Sequence, residues 1–152
     1  MTISVEIINQ LSDNYSYLIF GNKDNSSIII DPAESDKILN LLKEKKLNLS
    51  YIFITHHHSD HTSGVADLVR AYPEVKVFSP SELNSISVNI ISDSNKIKTN
   101  LNEFEIIHTP GHTLDHIVLC DLKNNLLFVG DVLFRLGCGR VFEGTLEQMH
   151  SS

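Results

Sequence analysis

Residues 51–54 are Tyr, Ile, Phe and Ile, and the chain then runs directly into Thr55-His56-His57-His58-Ser59-Asp60-His61. A short apolar run of this composition reads as a buried strand. When such a strand ends in a cluster of ionisable side chains, it must end at an edge where those groups can be satisfied. The pattern occurs twice more: residues 104–107 lead through His108 and Thr109 into Pro110-Gly111-His112-Thr113, and residues 126–129 lead into Gly130-Asp131. The chain is therefore expected to form a layered sheet whose strand ends gather histidines and carboxylates at one edge, since loops on a rigid sheet are where sites are built.

The remaining segments fit that architecture. Residues 5–8, 15–20 and 27–30 read as strands joined by turn residues, an antiparallel meander that starts in the stretch from Met1 to Asn9 and ends at Asp31-Pro32. In 35–47, Ile38, Leu39, Leu41 and Leu42 share one helical face. A second helix is expected over 63–72, stopped by Pro73, and a strand over 75–78. Residues 80–102 are expected to hold a short helix or turn and one or two edge strands, with further strands at 104–107, 117–120 and 126–129. Thr145 followed by Gln148 has the spacing of a capping box and starts a last helix. Strands, two helices with strands between them, then strands again imply an α+β sandwich.

Neutral imidazoles and carboxylates without a thiolate cluster suit zinc, iron or manganese. His56 and His58, two residues apart, can face one side together, and Asp60 and His61 are placed to serve a second ion beside the first. With two oxygens, Asp131 can bridge both. His57 is expected to point away, His108 to be packed or hydrogen-bonded, and His116 to orient a ligand or play a structural part. His150 is expected to be exposed, Cys120 to lie in the core, and Cys138 to be a small packing residue between its glycines.

The 152 residues carry a net charge of −7 with histidines neutral, which excludes the basic face a nucleic-acid binder needs. No apolar run approaches a membrane span, and the N-terminus lacks the pattern of a secretory signal. Two distant cysteines point to a reduced, cytoplasmic protein.

The run from Thr55 to His61 resembles the His-x-His-x-Asp-His signature of the metallo-β-lactamase superfamily, and Asp31-Pro32, Pro110-Gly111-His112-Thr113 and Gly130-Asp131 are similar to its other landmarks. Leu11-Ser12-Asp13-Asn14-Tyr15 and, above all, Gly137-Cys138-Gly139-Arg140-Val141-Phe142-Glu143-Gly144-Thr145 look like the glyoxalase II (hydroxyacylglutathione hydrolase) family within it. The resemblance implies an αββα sandwich over the whole of 1–152. It implies two zinc ions, with iron or manganese as substitutes. His56, His58 and His112 would hold the first and Asp60 and His61 the second, with Asp131 bridging. Asp60 and Asp131 would serve catalysis, and Arg140 and Phe142 would approach the glutathione part of the substrate. A fixed guanidinium suits a carboxylate-bearing peptide.

By the same resemblance the chain ends before the family's usual end. The second metal would then lack one histidine, and part of the glutathione grip would be missing. An uncovered sheet edge would invite self-association. Asp115 stands where family members often have glycine. The implied reaction is hydrolysis of a 2-hydroxyacyl glutathione thioester, such as S-D-lactoylglutathione, to glutathione and D-lactate in methylglyoxal detoxification. The thiol leaving group has a pKa of about 8.5 and needs no strong acid. The rival readings are a mononuclear-iron sulfur dioxygenase on the same scaffold and a non-catalytic metal-binding remnant. A metallo-nuclease is disfavoured by the acidic charge.

Overall fold

The computed structural model describes residues 2–152, so the start of the expected first strand, Met1, lies outside the described residues. Three strands, β1 (Ile3–Gln10), β2 (Asn14–Gly21) and β3 (Ser26–Ile30), form the expected antiparallel meander. Helix α1 (Asp36–Lys45) then crosses to β4 (Asn48–Phe53), which pairs parallel to β3. The short α2 (Ser59–Thr62) and α3 (Val65–Ala71) cross to β5 (Lys76–Ser79), again parallel. Parallel neighbours need such crossovers, because no tight turn can return the chain to the starting end. The two-residue β6 (Asn89–Ile90) completes a six-stranded sheet in the order β1-β2-β3-β4-β5-β6.

A second, antiparallel sheet contains β7 (Lys96–Lys98), β8 (Glu103–His108), β9 (Ile117–Asp121) and β10 (Leu126–Phe128), in the order β10-β9-β8-β7. The expected single sheet edge is thus an edge of a two-sheet sandwich, with the 51–54 strand in one sheet and the 104–107 and 126–129 strands in the other. Residues 80–102 hold the two edge strands β6 and β7 and a turn bridged at Leu83 and Ile86. A hairpin of β11 (Leu133–Phe134) and β12 (Gly137–Cys138) was not anticipated, and α4 (Leu146–Ser151) ends the chain. Thr145 caps α4 through the expected box: its hydroxyl accepts from the Gln148 backbone N–H, and the Gln148 side chain accepts from the Thr145 N–H.

Side-chain alternation explains the layering. In β3 every residue is buried: Ile29 joins the cluster beneath the helices, while Ile28 and Ile30 face the second sheet. In β4, Ile52 packs toward Ile38, Leu42, Val65 and Leu68, and Phe53 points the other way. A strand covered on both faces carries apolar side chains on both, as Ile28, Ile29 and Ile30 of β3 do, while its first two residues are buried serines whose hydroxyls bond to Ser50 and to the Asn48 carbonyl. On the outer side of the second sheet, α4 packs its Met149 against Val118 and Val132, covering part of that face. The order is helices, sheet, sheet and one short helix, the expected αββα sandwich.

Phe53 is the centre of the inter-sheet core. It is fully buried, stacked on Phe78 with ring centroids 5.0 Å apart and edge-on to Phe104 at 5.0 Å. Phe53→Ala is expected to destabilise the fold by about 3–5 kcal/mol, from lost burial and the cavity left behind. Urea denaturation of the variant should show a lower midpoint at an unchanged m value. A loss under about 1 kcal/mol would mean that the sheets are not held together at this point.

Candidate metal centre

The strand ends converge as the sequence suggested. His56 Nε2 lies 3.1 Å from His58 Nδ1, His112 Nε2 lies 3.0 Å from that same His58 nitrogen, and Asp131 Oδ2 is 3.4 Å from His112 Nε2. Beside them, His61 Nε2 is 3.3 Å from Asp131 Oδ1 and 3.7 Å from Asp60 Oδ2. The two oxygens of Asp131 therefore face two different groups. Both the His56–His58–His112 set and the His56–His61–Asp131 set are close enough to hold a metal ion.

Local structure fixes these rings. The Thr55 hydroxyl donates to Asp31 Oδ2 at 2.8 Å and so accepts from His56 Nδ1 at 3.0 Å. His112 Nδ1 donates to the Arg140 carbonyl at 2.7 Å. Both rings thus carry their proton on Nδ1 and turn a bare Nε2 inward, the tautomer a metal ligand needs. His58 Nδ1 can offer one proton to these two lone pairs, so three nitrogens meet with at most one hydrogen among them. His61 is buried and neither of its ring nitrogens makes an aligned hydrogen bond, although Nδ1 stands 3.0 Å from Asp31 Oδ2. Two ligands bound to zinc at about 2.0–2.1 Å in a tetrahedron are about 3.3 Å apart, close to the separations seen here. The donor set fits a divalent metal.

Electrostatics differ between the two halves. Burial, reinforced by the neighbouring histidines, pulls His56 far below the ordinary imidazole pKa, and burial lowers His58 as well. Burial also pushes His116 down to about 4, against the pull of Asp31. His61 goes the other way. Burial would lower it, but the Asp31 and Asp131 carboxylates outweigh burial and raise it to about 10. Burial works to raise Asp131, and the proton and charge of His61 hold it below the usual carboxylate range.

Asp31 and Asn14 were not singled out as site residues from the sequence, whereas His116 was expected to orient a ligand or play a structural part. Asp31, at a left-handed φ of 50°, accepts from the Thr55 N–H and hydroxyl at 2.8 Å each and reaches His61. Asn14 Nδ2 donates to Asp60 Oδ2 at 2.9 Å. His116 accepts from the Asp131 N–H at 3.1 Å through Nε2 and donates to the Thr109 hydroxyl at 2.8 Å through Nδ1. Gly130, at φ 48°, is wedged against His116: a Cβ there would stand 2.6 Å from both His116 Nε2 and the Thr55 hydroxyl. In the sequence, Asp31 and Asn14 stood out only within the Asp31-Pro32 and Leu11-Ser12-Asp13-Asn14-Tyr15 landmarks, without a role of their own.

Phe142 lies edge-on to His58 and His112, at ring centroid distances of 5.6 and 5.2 Å, and the Arg140 guanidinium lies 5.3 Å from the centre of the Phe142 ring. His57 points away from the cluster as expected, toward Asp115 and Glu143. His108 is hydrogen-bonded, its Nε2 donating to the Leu114 carbonyl at 2.8 Å at the surface, and His150 is exposed. Two cysteine expectations are corrected. Cys120 is only half-buried, because it sits toward the outer face of β9, and Cys138 is exposed on the β11–β12 hairpin instead of packed.

The family model described as the metallo-β-lactamase superfamily matches residues 11–90 and 95–152. A hydroxyacylglutathione hydrolase of Vibrio cholerae is 42% identical over 99% of this chain, which spans 59% of that relative's length. Among solved structures, ETHE1 from Myxococcus xanthus superposes with a TM-score of 0.80 at 26% identity, over 97% of this chain and 67% of that one. TTHA1623 in a di-iron-bound form does so with a TM-score of 0.79 at 22% identity, over 97% of this chain and 82% of that one. Among the described residues, no helix is long and apolar enough to cross a membrane. The sandwich, the order of its strand-end landmarks and the extent of the match agree that the chain belongs to the metallo-β-lactamase superfamily.

Proposed function

We propose that the chain binds two zinc ions and hydrolyses a glutathione thioester of a 2-hydroxy acid, S-D-lactoylglutathione in the simplest case. The observation that carries this reading is the placement of the segment from Gly137 to Thr145, which lays Phe142 against His58 and His112 and holds Arg140 over Phe142. The relatives named hydroxyacylglutathione hydrolase, at 40–42% identity, support the same substrate class.

His56, His58, His112 and Asp131 would hold the first ion, and Asp60, His61 and Asp131 the second. A divalent metal in such a site supplies Lewis acidity, polarising a carbonyl and acidifying water. The chain's own groups do the rest. Arg140 engages a carboxylate of the glutathione moiety and Phe142 packs along its chain. Asp131 and Asp60 orient the attacking water, and Asp60, held by Asn14, takes up its proton. Water oxygen adds to the thioester carbon, the C–S bond breaks, and the sulfur leaves as thiolate. A thiol pKa of about 8.5 makes a strong acid unnecessary at that step, in keeping with a site rich in carboxylates and unprotonated imidazoles.

A coupled assay of the zinc-loaded chain is expected to show D-lactate released from S-D-lactoylglutathione and activity lost on chelation. Arg140→Ala should raise KM by about 10–100-fold with a smaller change in kcat, the size expected for one charge-assisted contact. A fully metal-loaded chain without thioester turnover would leave the remnant reading. Oxygen uptake with glutathione persulfide by the iron-loaded chain would favour the sulfur dioxygenase.

The two ions are expected to bind unequally. The first set has three imidazoles and a carboxylate, while the second has one imidazole, Asp60 and a share of Asp131. Its imidazole, His61, carries a proton below a pKa of about 10. A ligand must shed its proton to bind, so second-site affinity should fall by about tenfold per pH unit as pH drops from 7 to 5.5. Burial holds His56 far below this range and shifts His58 in the same direction, so these two ligands release fewer protons on binding than His61 does. Zinc calorimetry at several pH values, with elemental analysis after dialysis, should find one ion retained and one pH-sensitive. Two equally tight ions with the same pH slope would refute the assignment.

A further inference from the structure

His57 belongs to neither set, yet its surroundings are built. His57 Nδ1 makes a hydrogen bond of 2.9 Å to Asp115 Oδ1. Asp115 is itself held by the Thr113 hydroxyl at 2.6 Å and the Ser81 hydroxyl at 2.7 Å. On the other side of the ring, His57 Nε2 stands 3.2 Å from Glu143 Oε1, and this contact is not an aligned hydrogen bond. The remaining Glu143 oxygen, Oε2, accepts from the Leu114 N–H at 2.9 Å. Three chain segments therefore bring an imidazole and two oriented carboxylates together, their ligand atoms within 4.8 Å of one another.

The two sides of the ring differ in a way that assigns them roles. The Nδ1 side has the length and alignment of a hydrogen bond. The Nε2 side has the length of a tetrahedral zinc ligand edge, about 3.3 Å for bonds of about 2.0–2.1 Å, without hydrogen-bond alignment. The His61–Asp131 and His112–Asp131 contacts, at 3.3 and 3.4 Å, have the same character. A carboxylate on one ring nitrogen and a metal on the other is a recurrent arrangement that fixes the tautomer and strengthens the ligand.

We infer that His57 Nε2 and Glu143 Oε1 form a third, weaker zinc site, with Asp115 orienting His57 from behind. Water completes the coordination, since His57 and Glu143 are 40% and 36% exposed. With two protein ligands the site exchanges faster than the buried ones. It stands at their rim: the His57 and His58 rings are 5.1 Å apart, and Glu143 directly follows Phe142. An ion there ties the 140–145 segment to the histidine loop. The inference does not depend on the thioesterase reading.

Zinc titration of the metal-free chain by calorimetry tests it, because binding is read without any substrate. The wild type is expected to show one weak zinc-binding step beyond those of the buried histidines. Glu143→Gln and His57→Gln should each remove that step, and Asp115→Gly should weaken it by about 10–100-fold while leaving the tighter steps in place. If His57→Gln disturbs the neighbouring ligands, Glu143→Gln gives the decision alone. No weak step in the wild type, or a weak step that survives in Glu143→Gln, would overturn the assignment.

Discussion

Both oxygens of the Asp31 carboxylate accept from Thr55, one from its backbone N–H and one from its hydroxyl, at 2.8 Å each. This pair of bonds joins the ends of two parallel strands, β3 and β4, where their ladder stops. It also sets the next link, because a Thr55 hydroxyl that donates to Asp31 must accept from His56, and His56 then presents its other nitrogen inward. The same Asp31 carboxylate reaches His61. A buried carboxylate is costly unless satisfied, and here its partners are the groups that aim two imidazoles. The Asp31 backbone adopts φ 50°, an uncommon conformation for a residue other than glycine. The parallel pairing, the turn and the ring orientations therefore stand or fall together.

Much of this was legible in the sequence because burial and period leave a direct trace. The isoleucine run of β3, the helical face of Ile38 and Leu42, and the strands running into His56, His112 and Asp131 follow from patterning alone. The two-sheet layering came from the family resemblance; patterning alone did not assign strands to sheets, since an apolar strand looks the same whichever sheet it joins. The β11–β12 hairpin was missed because Leu133 and Phe134 are exposed and so carry no alternation. Asp31 and Asn14 were missed as site residues for another reason: their partners, Thr55 and Asp60, lie 24 and 46 residues away. No local spacing encodes a contact of that range. Cys138 was misread because a residue between glycines was taken as packed, whereas the hairpin lifts it into solvent.

The orientation of His112 and the segment proposed above to face the substrate share one backbone. The Arg140 carbonyl accepts from His112, and the N–H groups of Phe142 and Glu143 donate to the His112 carbonyl at 3.2 and 3.4 Å. Gly139 permits this approach, because a Cβ there would collide with the Asp131 carbonyl. The Gly-Cys-Gly-Arg run thus supports His112 through its backbone as well as carrying the side chains proposed above for recognition. Side chains at 140 and 142 can vary with the ligand recognised, while the main chain between them remains committed to His112. One fold can in this way keep its metal chemistry and change its substrate.

The charge balance at the centre turns on His61 and the carboxylates around it. Asp31, Asp60 and Asp131 surround His61, and the nearby His56 and His116 are held neutral by burial. Three carboxylates around a buried pocket need a compensating charge. His61 supplies it by keeping a proton that burial alone would remove, which is why its pKa rises to about 10 while its neighbours fall. Under the proposed function, a divalent cation beside Asp131 would provide that compensation instead and free the His61 nitrogen to act as a ligand, which makes proton and metal alternative occupants of one electrostatic position.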